Sequence, residues 1–122
     1  MTMGSYVTNE PVYRERIDVL ANIAGIMDAS AAADVCTDKE WDRVISINLT
    51  VPTRLIRAVL PFMKAKRNGA IINLSSKAGM SGAVAGVAYT ASKHAVVGLT
   101  KVVGPHEFHS ILCNYFKLMP LC

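Results

Sequence analysis

Apolar residues along this chain follow two spacings, one typical of strands and one typical of helices. Two short apolar runs, at residues 17–21 and 70–74, are too short for helices and predict buried strands. Apolar residues recur at helical spacing over residues 41–63, and a second helical pattern covers residues 87–103. The resulting order of strand, helix, strand and helix predicts an α/β fold with a parallel sheet.

The first predicted helix carries signals for its ends and for an interruption. Thr37 and Glu40 have the spacing of a capping box, which starts the helix after Thr37, and residues 67–69 supply its stop. Pro52 lies within the helix and has no N–H to donate to the carbonyl of Asn48. We therefore predict a kink and a free carbonyl at Asn48. The alternative is an asparagine that a bend merely tolerates.

Composition places the chain among folded proteins with one core. Apolar residues make up 52% of its 122 residues, which is enough for one domain of modest size. The formal net charge is +4, but the basic residues are scattered, apart from a small cluster at Lys64, Lys66 and Arg67. Such a cluster is typical of a solvated helix end, so no nucleic-acid partner is expected.

The cysteines and the apolar runs limit location and metal binding. Cys36, Cys113 and Cys122 show no metal-ligand spacing, and an odd number of cysteines does not favour a disulfide framework. A reducing compartment fits this usage. The chain shows no charged-then-apolar leader and no run of eighteen apolar residues. We expect a cytoplasmic protein that binds neither a metal nor a membrane.

The candidate chemistry lies in the second predicted helix. Tyr89 and Lys93 are four residues apart, which places them on one helix face, one turn apart. An ammonium group close to a phenol favours the phenolate, so the pair can act as a general acid and base. Ser76 follows the strand at residues 70–74, where ligands bind in open α/β sheets. The alternative is a tyrosine on an amphipathic helix beside an ordinary exposed lysine.

These residues stand in motifs that resemble a known family. Ile-Asn-Leu-Ser-Ser ends at Ser76, and Tyr-Thr-Ala-Ser-Lys runs from Tyr89 to Lys93. Both are similar to the active-site segment of the short-chain dehydrogenases/reductases. The resemblance implies that Ser76 binds the substrate oxygen, that Tyr89 is the acid/base, and that Lys93 holds the nicotinamide ribose and lowers the tyrosine pKa. The substrate would be a small carbonyl compound or secondary alcohol, and the cofactor NAD or NADP.

Two further motifs extend the resemblance. Asn22-Ile23-Ala24-Gly25 is similar to the family's Asn-Asn-Ala-Gly segment, which implies cofactor contacts at Asn22, Ala24 and Gly25 beside those of Tyr89 and Lys93. A plain strand-to-loop turn is the alternative there. Asn48, in Asn-Leu-Thr-x-Pro, corresponds to the family asparagine whose backbone carbonyl holds a water in a proton relay to the lysine.

The resemblance covers residues 17–103, so we expect part of a Rossmann-like, doubly wound parallel sheet. Gly104-Pro105 is expected to end the second helix, which divides the chain into a remnant at 1–16, a core at 17–104 and a divergent tail at 105–122. Residues 111–114 resemble a degraded form of the next family strand. The glycine-rich turn that binds the cofactor phosphates is absent before residue 17. Without a preceding strand, residues 17–21 form an apolar sheet edge.

Two functions remain open. The first is a shortened NAD(P)-dependent oxidoreductase that transfers hydride between nicotinamide and a carbonyl or secondary alcohol, and that is weakly active or inactive as this chain. The second is a non-catalytic interaction module, because the resemblance implies that the helices at 38–66 and 87–103 build a homo-oligomer interface. The missing phosphate turn favours the second function, whereas the complete set of Asn48, Ser76, Tyr89 and Lys93 favours descent from the first.

Overall fold

Parallel strands and helices alternate in the computed structural model of this chain, which describes residues 16–106 and 111–116. Most of the predicted N-terminal remnant at 1–16 and part of the tail lie outside the described residues. The elements, in chain order, are β1 (Val19–Asn22), α1 (Asp38–Ile45), a π-helical turn (Ser46–Thr50), α2 (Val51–Lys66), β2 (Gly69–Leu74), a 3-10 turn (Lys77–Gly79), α3 (Val87–His106) and β3 (Ile111–Phe116).

The sheet places β2 between β1 and β3, and both pairings are parallel. Val19 pairs with Ala70 in the first register, and Leu74 pairs with Phe116 in the second. The predicted α/β class is therefore confirmed. The unit is longer than the predicted strand, helix, strand and helix, because the degraded signal at 111–114 forms a full strand at Ile111–Phe116. Among the described strands, β1 is an edge, as predicted.

Helix α1 begins where the sequence predicts, but its capping box does not close. The Thr37 hydroxyl accepts the N–H of Glu40 at 3.2 Å, which satisfies one of the unpaired donors of the first turn. The Glu40 carboxylate does not return to Thr37. It pairs instead with Arg43 at 2.7 Å and accepts the N–H of Ala29 at 3.1 Å. The contact with Ala29, outside the helix, thus replaces the hydrogen bond that Glu40 would accept from the backbone N–H of Thr37 in a capping box.

The helical run from α1 to α2 is interrupted at Asn48, as predicted, and the interruption takes the form of a π-helical turn. The N–H of Val51 donates to the carbonyl of Ser46, five residues earlier, so the backbone is wider there than in an α-helix. Pro52 follows at the first turn of α2, where a missing N–H costs little. Such single-turn π segments occur frequently at functional sites.

The ends of α2 and α3 differ in how well they follow the sequence. Helix α2 ends as predicted, because Arg67 adopts a left-handed conformation with a φ of 54° and its N–H donates to Lys64. Helix α3 continues to His106, whereas the sequence predicts that Gly104-Pro105 ends it. Proline has a helical φ and forfeits a single backbone hydrogen bond, so the last turn of a helix can contain it.

The apolar core lies between the sheet and the helices α2 and α3. Its buried members come from α2, β2 and α3, and they are Ile56, Val59, Met63, Ile71 and Val103. Met63 and Ile71 are fully buried. Burial of side chains of this kind contributes roughly 1.5–3 kcal/mol each to the stability of the fold.

A ladder of polar side chains crosses the carboxyl end of the sheet. Asn22 donates through Nδ2 to Oδ1 of Asn73 at 2.8 Å, and Asn73 donates to Oγ1 of Thr100 at 2.9 Å. Thr100 in turn donates to the carbonyl of Val96 at 2.8 Å. Asn73 and Thr100 are buried, so each of these hydrogen bonds also avoids the cost of an unpaired buried polar group. The ladder fixes the ends of β1 and β2 against α3.

We predict that Gly69→Ala destabilises the protein by about 1–3 kcal/mol, because the new Cβ would lie 2.6 Å from both Cγ and Sδ of the buried Met63. Urea unfolding measures the loss. Gly98→Ala is the matched control, since nothing lies within 4 Å of a Cβ at that position in α3. There alanine should stabilise the helix by about 0.5–1 kcal/mol. Equal effects of both substitutions would contradict the packing at Gly69.

Candidate active site

A cleft opens at the carboxyl ends of β1 and β2, beside the first turns of α3. Its volume is about 240 Å³. The lining residues come from the segment after β1, the end of β2 and α3, and they are Ile23, Gly25, Ile26, Met27, Leu74, Ser75, Ser76, Tyr89 and Lys93. The cleft therefore brings together Gly25, Ser76, Tyr89 and Lys93 from the predicted site.

Helix α3 presents Tyr89 and Lys93 to this cleft on one face, as their spacing predicts. The Nζ atom of Lys93 lies 5.6 Å from the centre of the Tyr89 ring. Tyr89 is half-buried, whereas Lys93 is only 4% exposed. The alternative of an ordinary exposed lysine is therefore wrong for Lys93.

The buried ammonium group of Lys93 has few partners within the described chain. Nζ donates to the carbonyl of Leu74 at 3.0 Å, at the end of β2. An ammonium group has three donors, and this bond accounts for one of them. Burial lowers the pKa of Lys93, because removal from water disfavours the charged form. The group is held in place and retains donors for an oxygen in the cleft.

The two serines at the end of β2 have different surroundings. Ser75 is buried and its hydroxyl donates to the carbonyl of Lys93 at 3.0 Å, so it ties β2 to α3. Ser76 is half-buried and its hydroxyl accepts the N–H of Ala78 at 3.1 Å, which caps the 3-10 turn. A hydroxyl that accepts one N–H can still donate its own proton. The hydroxyl of Ser76, which lines the cleft, can therefore still donate to an oxygen there.

Asn48 is buried behind the cleft and acts there through its side chain. Oδ1 accepts the N–H of Ile26 at 2.8 Å, and Nδ2 donates to the carbonyl of Ile26 at 2.9 Å and to Oγ of Ser92 at 3.1 Å. The amide group thus links the π-helical turn to the segment after β1 and to α3. The resemblance in sequence assigns a role to the backbone carbonyl of Asn48. The side-chain contacts are a separate feature that the motif does not predict.

The backbone of Gly25 lies close to the side chains of both Asn48 and Lys93. A Cβ at this position would lie 3.3 Å from Oδ1 of Asn48 and 3.3 Å from Nζ of Lys93. A side chain would therefore fill the space in front of the ammonium group. The absence of a side chain at Gly25 and the spare donors of Lys93 leave room for a hydrogen-bonding group of a ligand in front of the ammonium group.

The other predicted cofactor residues lie apart from that cleft. Asn22 and Ala24 line a second groove of about 250 Å³ between β1 and the start of α2, together with Ala21, Ile23, Ile47, Val51, Pro52 and Leu55. The side chain of Asn22 is engaged with Asn73. Ile23 lines both cavities, so the two are neighbours. The predicted cofactor contacts are thus divided between a polar cleft and a more apolar groove.

Two buried polar residues of the site are missed by the sequence analysis. Ser92 connects Asn48 to the carbonyl of Tyr89, which it meets at 2.8 Å. Asp28 accepts the backbone N–H groups of Gly86 and Tyr89. The contact of Ser92 with Asn48 and the two contacts of Asp28 join residues 44 to 61 positions apart in sequence, so no local pattern reveals them. Within residues 16–106 and 111–116, no group of His, Cys, Asp and Glu side chains has the arrangement of a metal site.

We predict that stability rises with pH more steeply in the parent chain than in Lys93→Met. Because burial lowers the pKa of Lys93 in the fold, the unfolded state binds the proton more readily. Stability should therefore increase between the pKa of folded Lys93 and the usual value of about 10.4. Urea unfolding at a series of pH values measures the difference. Lys101→Met, at an exposed lysine of α3, is the control. A pH-independent difference for Lys93→Met would contradict the burial of its charge.

A family profile and similar proteins of known sequence agree on one family. The sequence profile described as short chain dehydrogenase matches residues 7–111, a wider range than the motifs at 17–103. Short-chain dehydrogenase/reductase olcF of Penicillium canescens is 56% identical over 104 residues, which are 84% of this chain and 40% of that protein. Asnovolin H dehydrogenase nvfC of Aspergillus novofumigatus is 51% identical over 100 residues, 81% of this chain and 39% of that protein.

Solved structures show the same fold. A putative NAD(P)-dependent gluconate 5-dehydrogenase from Beutenbergia cavernae, with NADP bound at low occupancy, superposes with a TM-score of 0.79 at 33% identity, over 87% of this chain and 42% of that one. ElxO with NADP bound gives a TM-score of 0.77 at 32% identity, over 82% and 41%. This chain spans about 40% of the length of the relatives it matches. The chain belongs to the short-chain dehydrogenase/reductase family, whose members use NAD(P).

Proposed function

We propose that this chain carries the catalytic half of an NAD(P)-dependent oxidoreductase that interconverts a carbonyl group and a secondary alcohol. The observation that supports the proposal most is the position of the buried Lys93 ammonium group, 5.6 Å from the centre of the Tyr89 ring in a cleft that also contains Ser76. A charged group is buried at a cost in stability, and such groups occur mainly where a function requires them.

In this mechanism the protein supplies the proton and holds the oxygen. Ser76 donates a hydrogen bond to the substrate oxygen, and the half-buried phenol of Tyr89 gives its proton to that oxygen in reduction and takes it back in oxidation. The ammonium group of Lys93, 5.6 Å from the centre of the Tyr89 ring, places a positive charge beside the ring during this transfer. Leu74 holds the ammonium group through its carbonyl at 3.0 Å, so the charge remains beside the ring.

The nicotinamide nucleotide, when bound, supplies or accepts the hydride. We propose that Gly25, Tyr89 and Lys93 hold its nicotinamide ribose in the polar cleft and that Asn22 and Ala24 border its adenosine side. The spare donors of Lys93 and the missing Cβ of Gly25 support this placement. The relatives with bound NADP support a nicotinamide dinucleotide, without a choice between NAD and NADP.

A second candidate is a non-catalytic interaction module. It is favoured by large apolar side chains that are exposed on the helices, among them Trp41 on α1, Phe62 on α2 and Val102 on α3. In this function the helices at 38–66 and 87–103 would pair with a second copy of the chain. Analytical ultracentrifugation combined with a spectrophotometric assay of NADH and NADPH oxidation separates the two candidates, since stable dimers without cofactor-dependent reduction would favour the module. Within the part of the chain that the structure describes, no helix is long and apolar enough to cross a membrane.

We predict that Tyr89→Phe lowers carbonyl reduction by about 100-fold or more, because it removes the proton donor and leaves the ring in place. Ser76→Ala should also lower it severely. Spectrophotometric loss of NADH or NADPH, measured with a panel of small ketones, gives both rates. Ser81→Ala is the control, at an exposed serine outside the cleft lining, and should leave the rate unchanged. A Tyr89→Phe variant as active as the parent would refute the assignment.

We also predict that the 122-residue chain binds the whole cofactor weakly. It lacks the glycine-rich turn whose backbone N–H groups bind the phosphates in this family. Charge-assisted hydrogen bonds are worth about 1.5–3 kcal/mol each, so the loss of several weakens binding about a thousandfold or more. Isothermal titration calorimetry with NAD and NADP tests this. A low-micromolar dissociation constant would contradict the prediction and would show that other residues bind the phosphates.

A further inference from the structure

Asp28 occupies an unusual place, because its buried carboxylate lies at the start of the helix that carries Tyr89. The residue is 8% exposed. Its Oδ2 atom accepts the N–H of Tyr89 at 2.9 Å, and Oδ1 accepts the N–H of Gly86 at 3.1 Å. Oδ1 also accepts the N–H of Ser30 at 3.1 Å. The first N–H groups of a helix have no partner within the helix, so an acceptor must come from elsewhere. Here a residue 61 positions earlier than Tyr89 provides it.

The backbone around Asp28 is fitted closely to the start of α3. A Cβ at Gly86 would lie 2.5 Å from Oδ2 of Asp28 and 2.7 Å from the backbone nitrogen of Ala31. Only glycine leaves room for this approach. The N–H of Val87 donates to the carbonyl of Ala31 at 3.0 Å, which adds a second link between the two segments. Two of the first three N–H groups of α3, those of Val87 and Tyr89, are thus bound by residues 28–31.

Helix α1 and the π-helical turn hold the other side of this segment, which comprises residues 26–31. Asn48 binds both the N–H and the carbonyl of Ile26. Arg43 donates to the carbonyl of Met27 at 3.0 Å, and Glu40 accepts the N–H of Ala29 at 3.1 Å. The segment is therefore fixed from both sides. Its backbone includes Ser30 in a left-handed conformation, with a φ of 57°, which costs on the order of 1 kcal/mol.

We propose that Asp28 is a positioning residue for Tyr89. By binding the N–H of Tyr89 itself, the carboxylate sets where the helix begins and so fixes the direction in which the phenol enters the cleft. The negative charge of the carboxylate also stabilises the N-terminus of α3, where the helix dipole is positive. An ordinary N-cap residue, placed directly before the helix in sequence, would stabilise α3 equally. It would not, however, connect α3 to the cleft wall formed by Gly25, Ile26 and Met27. The inference rests on the proposed role of Tyr89 as acid/base.

Two NMR readouts on the chain without cofactor or substrate test the proposal. The first is amide hydrogen exchange at Gly86 and Tyr89. The second is the nuclear Overhauser effect between the Tyr89 ring and the ε-methylene protons of Lys93. Asp28→Ala should speed exchange at both amides by about tenfold, as expected when about 1.4 kcal/mol of hydrogen bonding is lost, and should weaken the Overhauser effect. Asp28→Asn retains one acceptor oxygen and should restore protection in part.

Control and companion variants separate positioning from general stability. Thr37→Ala removes the corresponding cap from α1 and should lower stability without changing either readout at Tyr89. Gly86→Ala keeps Asp28 but displaces its carboxylate, so it should reproduce the effect of Asp28→Ala even if that variant does not fold. Unchanged exchange in both Asp28→Asn and Gly86→Ala, or an equal change in Thr37→Ala, would overturn the proposal. Neither readout requires catalysis, so these NMR changes together with a Tyr89→Phe variant as active as the parent would refute the proposed function alone.

Discussion

The side-chain amide of Asn48 joins the chain segments that form the cleft. It binds both backbone groups of Ile26, in the segment after β1, and it donates to Ser92 on α3. A buried amide left without these partners would cost roughly 1–3 kcal/mol, so the three segments are fixed together. Asn48 lies in the π-helical turn, where the backbone is wider than in an α-helix. The positions of Gly25 and Lys93 depend on this arrangement, since Gly25 lies against both Asn48 and Lys93.

The charge of Lys93 makes the cleft chemically useful and costs stability. The ammonium group is nearly excluded from water, and one carbonyl group of β2 is its partner in the described chain. A buried charge of this kind is normally neutralised, paired or used. The polar groups around it, Ser76 and Tyr89, reach the same cleft from a strand end and a helix start. This convergence at the carboxyl edge of a parallel sheet is the general position of ligand sites in α/β folds.

Much of this architecture is predictable from local sequence signals, and the rest depends on distant contacts. The two strands, the Thr37 cap, the Arg67 stop and the interruption at Asn48 follow from short patterns that act within a few residues. The convergence of Tyr89 and Lys93 follows from helical spacing. The contact of Asp28 with Tyr89 and the fit of Gly86 depend on how segments some sixty residues apart meet, which local spacing does not encode. For a similar reason the sequence predicts only a degraded strand at residues 111–114. The full strand β3 has six residues whose own pattern is weak, and its pairing with the central strand β2 fixes them.

We propose that the polar cleft binds the nicotinamide side of a dinucleotide. Titration of the isotopically labelled chain with reduced nicotinamide mononucleotide, monitored by NMR, tests it most directly, because this ligand needs no phosphate turn to reach Tyr89 and Lys93. We expect saturable shifts centred on Gly25, Ser76, Tyr89 and Lys93, with no such shifts at these residues for adenosine monophosphate. Absence of shifts at the cleft, or equal shifts with adenosine monophosphate, would contradict it.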